Sequence, residues 1–88
     1  MNIKEIQKKL QSFAEVRDWD QFHTPKNLVM ALAGEAGELV EIFQWLTEEQ
    51  SAALKEDGED KQAVEEEVAD ILLYLLRLCD RLEIDVQA

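Results

Sequence analysis

The chain has 88 residues, 47% of them apolar, and a formal net charge of -11. A chain of that size forms one domain with a thin core, and its apolar share excludes a disordered tail. The acidic balance excludes nucleic acids and anionic membranes as partners, because affinity for either rests on Lys and Arg. A small polyphosphate bridged to the protein by a divalent cation stays possible.

Ile3, Ile6, Leu10 and Phe13 recur at helical spacing and predict a first helix over about residues 3–17. This N-terminus is amphipathic but has no apolar h-region and no small-residue cleavage site. No segment approaches the ~20 apolar residues needed to span a bilayer. A soluble, cytoplasmic protein is expected. Asp18 to His23 shows no periodicity and reads as a loop. Thr24-Pro25 then opens a second helix, with Thr24 as N-cap and Pro25 at the first helical position, where its missing N–H costs nothing. That helix is expected to reach about Leu46. Thr47-Glu48-Glu49-Gln50 has the form of a capping box and starts a short helix to about Lys55. Glu56 to Asp60 is a polar turn, and a long helix follows from about Lys61 to Leu82. Asp85 is placed to cap a further helix. The one cysteine, Cys79, excludes an intrachain disulfide and reads as a core residue in an apolar run.

Ile71 to Leu76 are six successive apolar residues. At ~100° per residue they cover every side of a helix, and a helix apolar all round is buried all round. So few helices cannot enclose it, so a dimer or a dimer of dimers is expected.

Two carboxylate pairs carry the chemistry. Glu35 and Glu38 stand three apart on the second helix, and Glu67 and Asp70 three apart on the last long helix, so each pair shares a face. If the two helices pack antiparallel, the pairs face each other. Facing carboxylates repel without a cation, and hard divalent ions prefer oxygen ligands; Mg²⁺ is typically held by a few carboxylates and substrate phosphates. The plainer reading of any single Glu is solvated surface. Spacing leaves Glu65, Glu66 and Glu67 open, because Glu66 and Asp70 at i,i+4 also share a face; Glu41 lies ~120° around the helix from Glu35. Gly34 and Gly37 each cost ~1 kcal/mol against alanine in a helix, which suggests close approach of another backbone or a ligand. Trp45 and Tyr74 each follow an acid by seven residues, about two turns along its stripe. With Trp19 and Phe22 they could form a slot for a flat base; ordinary core aromatics are the alternative. His23 and Lys26 alone read as a hydrogen-bonded loop histidine and a surface lysine.

Arg17-Asp18-Trp19-Asp20-Gln21-Phe22-His23, Asn27, Gly34-Glu35-Ala36-Gly37-Glu38-Leu39, Phe43-Gln44-Trp45 and Glu67-Val68-Ala69-Asp70-Ile71-Leu72-Leu73-Tyr74-Leu75 resemble the MazG-like all-α nucleotide pyrophosphohydrolases, nearest their dCTP pyrophosphatase branch. The resemblance covers nearly the whole chain. Its E-x-x-E and E-x-x-D pairs are shared widely, while the RDW-x-QFH loop and the FQW segment are specific to the branch. It implies an all-α antiparallel helical bundle completed by oligomerisation to a homodimer or homotetramer. It implies Mg²⁺ on Glu35, Glu38, Glu67 and Asp70, which also serve catalysis. It implies nucleotide contacts from Trp19, Asp20, Gln21, Phe22, His23, Trp45 and Tyr74, and hydrolysis of a deoxynucleoside triphosphate to monophosphate and pyrophosphate, as clearance of unwanted nucleotides. Three departures stand out. Gly34 replaces a Glu that many relatives carry, Leu10 replaces a branch histidine, and the C-terminal helix with its phosphate-binding Lys and Asn would begin where this sequence stops. Residues 1–88 are therefore expected to be a single domain lacking that helix. Two rivals remain. A ferritin-like di-iron bundle needs Glu-x-x-His pairs, which this chain lacks. A non-catalytic acidic helical interaction module would keep the acids solvated.

Overall fold

The computed structural model describes residues 1–88, and every regular element in it is helical. Helix α1 spans Ile3–Val16, a 3-10 turn spans Asp20–Phe22, and α2 (Pro25–Phe43), α3 (Glu48–Ala53) and α4 (Glu59–Arg81) follow. Three helix starts are fixed by side-chain caps. Asn2 Oδ1 accepts from the Glu5 N–H at 3.0 Å, and Thr24 Oγ1 from the Asn27 N–H at 3.2 Å. Thr47 and Gln50 form a reciprocal capping box at 3.1 and 2.9 Å.

The capping box explains why α2 ends at Phe43, short of the expected Leu46. Thr47 must be extended (φ -74°, ψ 166°) to offer its hydroxyl, so the helix closes and the chain turns beforehand. Helix α4 starts two residues earlier than expected, with Glu59 and Asp60 in its first turn, where acidic groups complement the helix dipole. The Asp18–His23 stretch is not simple loop: its 3-10 turn is closed by the His23 N–H on the Trp19 and Asp20 carbonyls.

Helices α1 and α4 end alike. Asp18 (φ 57°) and Glu83 (φ 56°) both adopt the left-handed conformation. Trp19 N–H then reaches the Ala14 carbonyl at 2.8 Å, and Ile84 N–H the Cys79 carbonyl at 2.8 Å, the Schellman pattern usually built on glycine.

Helix α2 packs against α4, and α1 lies along the C-terminal half of α4. The α2–α4 pair is antiparallel, since His23 before α2 meets Arg77 late in α4 while Glu35 and Glu38 meet Glu67. Only Ala14, Leu28, Leu76 and Arg77 are buried. They come from α1, the start of α2 and the end of α4, so the core sits where those three helices meet. The radius of gyration is 15.2 Å, against about 12 Å for a compact domain of this length. Leu72, Leu73 and Leu75 in the apolar run remain 37–41% exposed in the single chain. Cys79 is half-buried and lies outside the core. No helix is long and apolar enough to cross a membrane.

Candidate active site

The antiparallel α2–α4 pair brings Glu35, Glu38 and Glu67 together, with one oxygen from each lying within 4.8 Å of the others. Glu35 and Glu67 are half-buried and Glu38 is exposed. Of the three successive glutamates in α4, Glu67 stands in this cluster, whereas Glu65 and Glu66 are exposed. Asp70 is one turn further along α4. It stands outside the tight triad and shares the wall of the adjoining cleft with Glu35.

The cluster is electrostatically unsatisfied. Glu35 Oε2 and Glu67 Oε2 are buried without a hydrogen-bond partner, a costly state for a carboxylate. The Glu67 carboxyl is pushed up to about 7, chiefly because its protonated form bonds to Glu35, then by desolvation and by Glu38. Such a group must either keep a proton or receive a cation. Three convergent carboxylates, two of them with an orphaned oxygen, fit a hard divalent cation.

Beside the acids lies a cleft of about 250 Å³. Trp19, Phe13, Tyr74, Leu10 and Leu73 give it an apolar lining, and His23, Arg77, Glu35 and Asp70 its polar groups. Phe13 and Trp19 meet edge to face with centroids 5.5 Å apart, and the Trp19 and His23 rings lie 6.2 Å apart. The Arg17 guanidinium stacks 3.4 Å over the opposite partner, the Phe13 ring.

The remaining residues singled out in the sequence lie elsewhere. Trp45 is 85% exposed: because α2 stops at Phe43, Trp45 leaves the helical stripe that Glu38 would have placed it on. Gln21 and Phe22 are exposed and do not line the cleft; Gln21 bonds back to Asp18 at 3.1 Å. Asn27 ties the 3-10 turn to α2 by donating to the Phe22 carbonyl at 2.9 Å. A Cβ on Gly34 or Gly37 would meet nothing within 4 Å, so neither glycine answers to a close approach of another backbone within this chain.

Asp20 belongs to a network behind the cleft. Its Oδ1 accepts from Gln11 at 3.0 Å, from Arg77 at 2.6 Å and from Arg81 at 3.0 Å. The hydrogen bond from Gln11, followed by that from Arg77, holds the carboxyl below its usual range. Sequence reasoning missed Gln11 and Arg77. The signal for Arg77 was its place in the run Leu75-Leu76-Arg77-Leu78-Cys79, since a charge amid apolar residues needs built partners.

The helices and this cluster define an all-α bundle in which carboxylates face one another across two antiparallel helices. The chain belongs to the MazG-like family, which residues 31–88 match. It is 42% identical over 84 residues to dCTP pyrophosphatase 1 of Bos taurus, covering 96% of this chain and 50% of that protein. To dCTP pyrophosphatase 1 of Homo sapiens it is 40% identical over 84 residues, 96% of this chain and 49% of the relative. The chain thus spans about half the length of the curated relatives it matches. A pyrophosphatase from Archaeoglobus fulgidus DSM 4304 superposes with a TM-score of 0.83 at 42% identity, over 97% of this chain and 78% of that one.

Proposed function

We propose that this chain hydrolyses deoxynucleoside triphosphates to monophosphate and pyrophosphate with the aid of Mg²⁺, dCTP foremost, and so clears unwanted nucleotides from the cytoplasmic pool. The observation that carries this reading is the carboxylate triad, two of its oxygens orphaned, whose Glu35 also lines an aromatic cleft. The similarity to proteins named dCTP pyrophosphatase supports the substrate. Glu35, Glu38 and Glu67 would hold the ion, with Asp70 at the cleft wall beside them. When bound, Mg²⁺ supplies the positive charge that lets a triphosphate approach this acidic face and polarises its phosphoryl oxygens.

The protein's own groups do the rest. Trp19, with Phe13 braced against its edge, offers the base a stacking surface, and Tyr74 and Leu73 close the cleft from α4. Residues 17–23 pass from α1 through the 3-10 turn and set Trp19 and His23 in the cleft wall. Water attacks the α-phosphorus, pyrophosphate leaves, and a carboxylate of the cluster orients the water and accepts its proton. Residues 1–88 act as one domain. Val40, Val68, Leu72 and Leu75, all exposed in the single chain, support assembly into a homodimer or homotetramer that covers them.

Incubating the chain with each dNTP, with and without Mg²⁺, while resolving pyrophosphate from orthophosphate tests the reading. Pyrophosphate and monophosphate in equal amounts, only with the ion and fastest from dCTP, are expected. Orthophosphate as first product, or no turnover of any dNTP, overturns it.

A further inference from the structure

Arg77 is the one charged side chain withdrawn from solvent, at 3% exposure. A guanidinium stays protonated at any working pH, so burying it demands acceptors around it. Asp20 Oδ1 lies 2.6 Å from Nη2, Gln11 Oε1 accepts from Nη1, and Asp80 Oδ2 lies 3.7 Å from Nη1. The fourth contact is of another kind: Nε donates to His23 Nδ1 at 3.1 Å. Arginine has no lone pair to offer, so Nδ1 must be the bare nitrogen of the ring. The single proton of a neutral imidazole is then on Nε2.

We propose that Arg77 is a positioning residue that fixes His23 as the Nε2–H tautomer, making His23 a hydrogen-bond donor to the cleft occupant rather than a general base. Only the identity of that occupant rests on the nucleotide reading given above. His23 lines the cleft beside Trp19. A heterocycle stacked on Trp19 would therefore meet a donor at its edge, which suits a ring carbonyl or an unprotonated ring nitrogen, as on cytosine. Charges of both signs face His23. Arg77 and Arg81 approach from α4 and Asp20 from the 3-10 turn, while Glu35 of α2 and Asp70 of α4 stand in the same cleft. Burial first, and then the Arg77 charge, hold the imidazole below its usual range against the opposing pull of Asp20.

His23 is the only histidine in the chain, so a ¹⁵N-labelled sample gives one pair of imidazole nitrogens without assignment. Long-range ¹H–¹⁵N correlation spectra recorded from pH 5 to pH 8 read both the tautomer and the titration midpoint. The expected result is a bare Nδ1 and a protonated Nε2 through the neutral range, with a midpoint below the ordinary histidine value. Arg77→Met, which removes donor and charge together, should raise the midpoint and mix the tautomers. Should that variant not fold, the wild-type spectrum decides alone. A protonated Nδ1 at pH 7, or a midpoint unmoved in folded Arg77→Met, overturns the assignment. Absence of dNTP turnover overturns the proposed reaction instead and leaves these spectra unchanged.

Discussion

Loading the carboxylate cluster with Mg²⁺ should expel a proton, in an amount set by pH. The perturbation is the ion itself, added to metal-free protein. A carboxyl that titrates at about 7, as Glu67 does, is protonated in about nine molecules of ten at pH 6, about half at pH 7 and about one in ten at pH 8. A cation needs the deprotonated ligand, so binding releases that fraction of a proton. Calorimetric titration in two buffers of different ionisation enthalpy measures it directly. Proton uptake by the buffer should fall about ninefold between pH 6 and pH 8 and vanish in Glu67→Gln. Metal-free stability follows the same group. Because the folded value lies above the unfolded 4.5, the stabilisation its proton brings is complete below pH 4.5 and is lost as pH rises through about 7. His23, held low, gives the opposite slope: its contribution is present above pH 6.5 and lost as pH falls below it. Melting curves of wild type and Glu67→Gln at each pH separate the two. Release that is absent at pH 6, or equal at pH 6 and pH 8, would refute the argument that Glu67 is both protonated and a ligand.

Trp19→Ala removes the stacking surface; a base–aromatic stack is worth about 1–3 kcal/mol, so KM for dCTP should rise about 5- to 150-fold in steady-state assays, and an unchanged KM would remove Trp19 from the site. Leu28 is 2% exposed, and Leu28→Ala should cost about 2–5 kcal/mol in chemical denaturation; a loss under 1 kcal/mol would show that the small core is not where the three helices meet. In sedimentation equilibrium at micromolar concentration the wild type should be a dimer or tetramer, and Leu75→Asp should shift it toward monomer. A well-folded wild-type monomer would show that the open leucines of α4 need no partner.

Helix starts were legible because they are written in side chains. Thr24 with Pro25, and Thr47 with Gln50, carry their capping chemistry locally. Helix ends were harder to read, since Asp18 and Glu83 take a left-handed conformation that sequence patterns reserve for glycine. Trp45 and Leu46 continued the apolar periodicity of α2, and only the backbone demand of the next cap stops that helix. The site divides in the same way. Glu35 and Glu38 could be paired from spacing, but spacing left Glu65, Glu66 and Glu67 open, and only the family resemblance pointed to Glu67. Arg77 could not be matched to His23, Asp20 and Gln11, which lie 54, 57 and 66 residues away. Such partners emerge from topology, which turns a distant loop onto the end of α4.

The segment from Thr47 to Gly58 stands apart from all of this. The side-chain hydrogen bonds of α3 reach no farther than three residues along the chain, and none of its residues lines the cleft. Lengthening the turn between Leu54 and Gly58 breaks no long-range bond, and doubling a flexible loop costs only about 0.6 kcal/mol in closure entropy. That turn is therefore a natural seam for grafted sequence. A peptide tag or a second small domain spliced there leaves α2 and α4 in register and the carboxylates facing each other, so the protein could carry cargo at one end while its cleft stays intact.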